Sequence, residues 1–128
     1  MSVVLDSWAI LRYLQDHEPT SSEVAELLNS ERPVASWINL GEVFFIICRL
    51  HGQEAARDAV RDLREVITSE TPTEARILEA AQIKADHAMA HADAFAAATA
   101  IAHSATLWTG GPELLVNDAP WQWRDLRS

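Results

Sequence analysis

The sequence predicts an α/β fold in which helices flank a central, mostly parallel sheet of four to five strands. Short apolar runs typical of buried strands alternate along the chain with longer segments in which apolar residues recur at helical spacing. A length of 128 residues suits one domain and a hydrophobic share of 48% suits a folded core, so we expect a single domain over residues 1–128. Cys48 is the one cysteine of the sequence, which excludes an internal disulfide.

The first half of the chain predicts two strands, each followed by two helices. Both strands are short apolar runs, as expected for strands that are buried on both faces. Thr20 with Glu23 forms a capping-box pattern at one helix start, and Gly52 marks one helix end. The predicted elements are a strand Ser2–Leu5, a helix to about Gln15, a helix from Thr20, a strand Pro33–Ser36, a helix Ile38–Leu50 and a helix from Gln53 to about Glu65.

The second half repeats this alternation and ends in a tail. The segment Thr71-Pro72-Thr73-Glu74 combines an N-cap, a proline at the first helical position and a capping-box glutamate. In the tail, Trp121 and Trp123 alternate with polar residues, which predicts a last edge strand. The other predicted elements are a strand Val66–Thr68, a helix from Thr71 to about Asp86, an alanine-rich helix His91–His103 and a strand Ala105–Thr109.

The charge balance limits how the protein can meet nucleic acid. There are 19 acidic and 10 basic side chains, a formal net charge of −9. Phosphate binding depends on neutralisation by Lys and Arg, so any nucleic-acid role must depend on a local site. The longest apolar run, Val43–Cys48, is far too short to span a membrane, and residues 1–6 lack a basic secretory signal. We therefore expect a cytoplasmic protein with no membrane partner.

Asp6 is the first candidate for a functional residue. It directly follows the first predicted strand, and ligands of open α/β sheets bind beyond the carboxyl ends of the strands. The same position also suits an N-cap for the following helix, since Asp is a good cap. Position alone leaves both interpretations open.

Two further acids stand in helices. Glu42 lies inside the most apolar helix, where a carboxylate is costly if it is buried and unpaired, although it could also point outward. Asp93 lies in the first turn of the alanine-rich helix, where a negative charge is favourable in any case. Three carboxylates from separate elements would suit a hard cation such as Mg²⁺, but their spacing does not show that they meet.

A row of arginines occupies one face of a predicted helix, at Arg57, Arg61 and Arg64. These side chains could contact phosphates beside an acidic pocket. They could equally form a solvated face that is paired with acids of the same helix. Those acids are Asp58, Asp62 and Glu65.

Four motifs in order along the chain resemble the PIN domain, and more closely the VapC-type toxins of bacterial toxin–antitoxin pairs. The resemblance extends over nearly the whole sequence. The motifs are Val3-Val4-Leu5-Asp6-Ser7, Asn39-Leu40-Gly41-Glu42-Val43, Ala92-Asp93-Ala94-Phe95-Ala96-Ala97-Ala98 and Ala105-Thr106-Leu107-Trp108-Thr109-Gly110.

The resemblance implies a fold, a site and an activity. The fold is a three-layer sandwich around a parallel sheet. Asp6, Glu42 and Asp93 match the family's catalytic acids, which bind Mg²⁺ or Mn²⁺, and Ser7 and Thr109 match hydroxyl positions that support the site. The implied activity is endoribonucleolytic hydrolysis of phosphodiester bonds in structured RNA, either tRNA or rRNA. The implied partners are a VapB-type antitoxin and a second copy of the chain in a homodimer.

One departure from the family pattern concerns the fourth acid. The family reads Thr-Gly-Asp after the fourth strand, whereas this chain reads Thr109-Gly110-Gly111, and Gly111 offers no ligand. Glu113, two residues further on, is a candidate to reach into the site instead. The departure also motivates an alternative function, a non-catalytic or weakly active PIN-like module that binds an antitoxin or RNA.

Overall fold

The computed structural model describes residues 2–127, in which five strands and six helices are formed. The strands are β1 (Val3–Leu5), β2 (Val34–Ser36), β3 (Thr68–Glu70), β4 (Thr106–Thr109) and β5 (Gln122–Asp125). The helices are α1 (Ser7–Leu14), α2 (Thr20–Ser30), α3 (Trp37–His51), α4 (Gln53–Val66), α5 (Glu74–Asp86) and α6 (His91–Ala102), and a short 3₁₀ helix covers Pro112–Leu114. The element order confirms the α/β fold predicted from the sequence.

All the strand pairings are parallel, in the order β3-β2-β1-β4-β5. Val4 of β1 pairs with Val34 on one side and with Leu107 on the other, so β1 lies in the middle of the sheet. The chain leaves β1 toward β2 and β3 and returns to its other side at β4. This reversal opens a crevice beyond the carboxyl ends of β1 and β4, where such sheets bind ligands.

Helices cover both faces of the sheet, which makes three layers. The side chains of a strand alternate between faces, so Val3 and Leu5 pack into a core with α1 to α4, whereas Val4 packs into a second core with α5 and α6. All three residues are at most 2% exposed. The predicted three-layer architecture is confirmed.

The prediction for the third strand is wrong by two residues. The apolar run Val66–Thr68 predicted a strand, but α4 continues to Val66 and the strand covers Thr68–Glu70. Val66 is 37% exposed at the helix end, while Ile67, which connects α4 to β3, is buried in the core. The Ile67 N–H donates to the Leu63 carbonyl at 3.0 Å, so helical hydrogen bonding continues to the end of α4 in spite of the local β-propensity.

Both predicted helix caps are also wrong in detail. Pro19 occupies the N-cap position of α2 and makes no side-chain cap, and the Thr20 hydroxyl donates a hydrogen bond to the Leu126 carbonyl at 3.0 Å. At α5 the cap is Thr73 rather than Thr71, since the Thr73 hydroxyl accepts the Arg76 N–H at 3.2 Å. Thr20 therefore attaches the C-terminal tail to the body of the protein.

The tail forms the predicted edge strand, β5. The Trp121 ring is buried, and its indole N–H donates to the Leu114 carbonyl at 2.9 Å, while the Trp123 indole N–H donates to the Val116 carbonyl at 2.9 Å. These tryptophans close the core beside the 3₁₀ helix. Over residues 2–127, no helix combines the length and the hydrophobicity needed to cross a membrane.

Candidate active site

Asp6 lies at the carboxyl end of β1 and uses its two carboxylate oxygens separately. Oδ1 accepts the Ala9 N–H at 2.8 Å and thereby caps α1, and Oδ2 accepts the hydroxyl of Thr109. The residue is 2% exposed. The geometry confirms the N-cap and also places Asp6 at the crevice between β1 and β4, while its functional role stays a prediction.

Thr109 ends β4, the neighbour of β1. The register pairs Leu5 with Trp108, which brings Asp6 and Thr109 side by side although they are 103 residues apart in sequence. The Thr109 Oγ1 also accepts the Gly111 N–H at 3.0 Å, so it connects Asp6 to the loop after β4. This hydroxyl orients the Asp6 carboxylate.

The three predicted acids lie close enough to influence one another. Burial raises the pKa of Asp6 from its ordinary value of 3.8 to about 7, and the charge of Glu42 adds to this effect. Burial also raises the pKa of the half-buried Asp93, with further contributions from a hydrogen bond to Glu113 and from the charges of Asp6 and Glu42. The fold thus assembles a cluster of Asp6, Glu42, Asp93 and Glu113.

Glu113 occupies the space beside Gly111. A Cβ built on Gly111 would meet the Glu113 Oε1 at 3.4 Å and the Thr109 Oγ1 at 3.5 Å. Glu113 belongs to the 3₁₀ helix that follows β4 and lies within hydrogen-bonding reach of Asp93. The Glu113 carboxylate therefore lies within contact distance of the point where a side chain at position 111 would begin.

Asn39 is a polar residue of this region that the sequence analysis did not single out. It is 1% exposed in the first turn of α3, and its Nδ2 donates to the Ser7 Oγ and to the Ala92 carbonyl, each at 3.1 Å. Its Oδ1 is buried without a hydrogen-bond partner, which costs about 1–3 kcal/mol of stability. One signal could have revealed it: a polar residue one helical turn before Glu42, in an otherwise apolar segment.

The donor chemistry of the cluster fits a hard divalent cation. Carboxylate oxygens are the ligands that Mg²⁺ and Mn²⁺ prefer, and clustered acids with raised pKa values are stabilised by a cation. Within residues 2–127, however, no three His, Cys, Asp or Glu side chains are arranged as a ready ligand set. Mg²⁺ usually keeps several waters and binds through one or two carboxylates, so such a set is not required.

The arginine row on α4 has mixed surroundings. Arg61 pairs with Asp58 at 3.0 Å and with Asp62 at 3.2 Å, and both acids are more than half exposed. The guanidinium of Arg64 lies 5.4 Å from the centre of the Trp37 ring. For Arg61 the geometry corresponds to the solvated, paired face rather than to a phosphate contact.

Comparison with known proteins provides structural relatives but no match among curated proteins. The structure of VapBC2 from Rickettsia felis, bound to a DNA fragment from their promoter, has a TM-score of 0.79 at 14% identity over 98% of each chain. VapBC-1 from nontypeable Haemophilus influenzae has a TM-score of 0.74 at 24% identity, also over 98% of each chain. For Mycobacterium tuberculosis VapC20, described as a sarcin–ricin loop cleaving toxin, the values are 0.70 and 18% over 83% of this chain and 87% of that one.

At these identities the structural likeness establishes the fold. Independently, a family model described as the PIN domain matches residues 3–118. That match contains β1, β4 and the whole acid cluster. The chain belongs to the PIN domain family.

Proposed function

We propose that this protein is the toxin of a type II toxin–antitoxin pair, a divalent-metal-dependent endoribonuclease that hydrolyses phosphodiester bonds in structured RNA, either tRNA or rRNA. The observation that carries the proposal is the cluster of Asp6, Glu42 and Asp93 at the carboxyl edge of the sheet. Membership of the PIN family and the likeness to VapBC structures support it.

Asp6, Glu42 and Asp93 would be both the catalytic acids and the ligands of Mg²⁺ or Mn²⁺. When bound, the ion supplies a Lewis acid that offsets negative charge on the phosphodiester in the transition state. The Ala9 N–H and the Thr109 hydroxyl hold the Asp6 carboxylate in one orientation, which leaves its remaining lone pairs for the cation. Because burial raises the pKa of Asp6 to about 7, this carboxyl must also lose a proton when the ion binds.

Ser7 and Thr109 would support the site without binding substrate. The Ser7 hydroxyl donates to the Asn39 carbonyl at 3.3 Å, which connects the start of α1 to α3. Glu113 would supply the fourth carboxylate in place of the missing acid at Gly111. Its closeness to both Gly111 and Asp93 supports this role.

The proposed partners follow from the same function. A VapB-type antitoxin would silence the toxin, and the active form would be a homodimer. The structural relatives that are VapBC complexes support the antitoxin. The proposed RNA targets lie in the cytoplasm, so we expect the protein to act there.

Replacing Asp6 tests the mechanism. Asp6→Asn keeps a side chain that caps helices as well as Asp does, so the fold should survive while metal-dependent cleavage falls by about 100-fold or more. The assay measures cleavage of tRNA and rRNA fragments with Mg²⁺, with Mn²⁺ and with a chelator, and circular dichroism checks the fold. Asp58→Asn, on the exposed face of α4, is the matched control and should cleave like the wild type. Metal-dependent cleavage that persists in Asp6→Asn would contradict the mechanism.

A pair of substitutions tests whether Glu113 replaces the fourth acid. We expect Glu113→Gln to slow cleavage, and Gly111→Asp to restore it in the Glu113→Gln background. Gly111 has φ −72° and ψ 120°, a conformation open to any residue, so the added side chain should not strain the backbone. A large gain from Gly111→Asp alone would show instead that the natural site lacks an acid. Cleavage by neither the wild type nor Gly111→Asp, with antitoxin binding retained, would favour the non-catalytic module.

A further inference from the structure

Asn39 is buried where three acid-bearing segments meet. It lies one turn before Glu42 on α3. Its amide donates to Ser7, which directly follows Asp6, and to the carbonyl of Ala92, which directly precedes Asp93. One side chain therefore contacts the chain neighbours of two acids and shares a helix with the third.

Asn39 and Ser7 are joined by two hydrogen bonds that run in opposite directions. The Asn39 Nδ2 donates to the Ser7 Oγ at 3.1 Å, and the Ser7 Oγ donates to the Asn39 backbone carbonyl at 3.3 Å. The contact to Ala92 joins α3 to the first turn of α6 at 3.1 Å. These bonds therefore connect the starts of α1, α3 and α6, the three segments that carry the acids.

The burial of the amide indicates that it does not act on solvent or substrate directly. Asn39 is 1% exposed, and its Oδ1 has no hydrogen-bond partner. The unpaired oxygen offsets part of the stability that the two amide hydrogen bonds contribute. What it provides is two directed N–H donors that point to two different segments.

We propose that Asn39 is a positioning residue that sets the spacing of Asp6, Glu42 and Asp93 for a divalent cation. It acts through Ser7 and Ala92 and does not touch the ion. The proposal rests on the metal-dependent function proposed above, and it adds a residue outside the acid set. Groups that hydrogen-bond directly to metal ligands typically change metal affinity by about 10–100-fold, and Asn39 acts one contact further from the ion.

Mn²⁺ binding provides a test that does not depend on RNA cleavage. Calorimetric titration with Mn²⁺ compares the wild type with Asn39→Leu, which keeps the approximate size of the side chain and removes both donors. We expect the dissociation constant to rise by about 10-fold, the lower end of the range for direct partners of metal ligands. In cleavage assays the half-saturating Mn²⁺ concentration should rise by a similar factor, while cleavage at saturating Mn²⁺ falls less. Asn29→Leu, at an exposed asparagine of α2, should bind Mn²⁺ like the wild type.

A second variant covers the case in which Asn39→Leu does not fold. Ser7→Ala removes the hydrogen bonds between Ser7 and Asn39 but keeps the bond from Asn39 to Ala92. It should weaken Mn²⁺ binding by a smaller factor than Asn39→Leu does. In the double variant, the loss of Mn²⁺ binding free energy should be smaller than the sum of the losses in the two single variants. Both changes remove the same Asn39–Ser7 hydrogen bond, so their effects are not independent.

The outcomes separate this proposal from the proposed function. Unchanged Mn²⁺ affinity in folded Asn39→Leu, or in Ser7→Ala where Asn39→Leu does not fold, overturns the role of Asn39 alone. A wild type that binds Mn²⁺ but cleaves no RNA overturns the nuclease function, while the Asn39 comparison still stands. A wild type that binds no Mn²⁺ overturns both.

Discussion

At the scale of single residues, Asp6 shows how one side chain can serve both folding and chemistry. Its Oδ1 caps α1 and its Oδ2 receives the Thr109 hydroxyl, so the carboxylate cannot rotate freely. A fixed carboxylate loses less conformational entropy when it binds an ion. The burial that accompanies this fixed orientation also raises the pKa of Asp6, so the carboxyl is ionised to a smaller extent near neutral pH than an exposed one.

Two glycines offer a matched prediction at this scale. A Cβ on Gly110 would lie 2.3 Å from Cζ2 of Trp8, whose ring also contacts the Arg12 guanidinium 4.5 Å from its centre. Gly110→Ala must displace this ring and should lower the free energy of unfolding by about 1–3 kcal/mol. Gly41 lies in α3, and an added Cβ there would meet no neighbouring atom within 4 Å. Gly41→Ala should therefore raise the free energy of unfolding by roughly 0.5–1 kcal/mol. Urea unfolding of both variants checks the two signs, and a destabilised Gly41→Ala or an unaffected Gly110→Ala would contradict this account.

At the scale of elements, three helices begin at the acid cluster. Asp6 precedes α1, Asp93 lies in the first turn of α6, and Glu42 lies in the second turn of α3. Helix N-termini carry partial positive charge, which stabilises nearby carboxylates. The arrangement of helices around the crevice therefore offsets part of the repulsion among the acids.

The start of α5 gives a prediction at the same scale. The Thr73 hydroxyl accepts the Arg76 N–H, whereas Thr71 lies outside the helix. Thr73→Ala should destabilise the protein by about 1 kcal/mol, and Thr71→Ala, at an equally exposed threonine, should change stability much less. Thermal or urea unfolding distinguishes the two. A larger loss of stability in Thr71→Ala than in Thr73→Ala would indicate instead that Thr71 caps the helix, as the sequence pattern predicted.

At the scale of the whole molecule, the buried acids couple stability to pH. The folded protein binds the Asp6 proton with a pKa of about 7, against an ordinary value of 3.8, so the folded state holds more protons than the unfolded state between these values. This contribution to the free energy of unfolding is therefore full below pH 3.8 and is lost as the pH rises to about 7. The raised pKa of Asp93 acts in the same direction.

We predict that chelator-treated protein loses stability relative to Asp6→Asn as the pH rises from 5 to 8. Urea unfolding across this range measures the free energy of unfolding of both proteins. Taking the difference between them at each pH cancels the contributions of titratable groups that both proteins share. Added Mn²⁺ should stabilise the wild type at pH 8, because an ion that binds only the folded state shifts the folding equilibrium. Parallel pH curves for the two proteins would contradict the raised pKa of Asp6.

The strand segments were predictable because they follow from local sequence patterns. Short apolar runs separated by helical periodicity predicted four of the five strands: β1, β2 and β4 begin one residue later than predicted, and β3 is displaced by two residues. The alternating tryptophans predicted β5. The helix caps of α2 and α5 were not predictable in detail. Thr20 matches a local capping pattern, but its hydroxyl bonds instead to Leu126, 106 residues away.

Local patterns along the chain are enough to predict the order of strands and helices, the acids available to a site and the absence of an acid at Gly111. They do not predict that Asp6 meets Thr109, that Glu113 lies beside Gly111 or that Asn39 joins the starts of three helices. These contacts depend on which strands and helices become neighbours in the fold. Asp6 and Thr109 are 103 residues apart and meet because β1 pairs with β4, an adjacency that no local periodicity encodes.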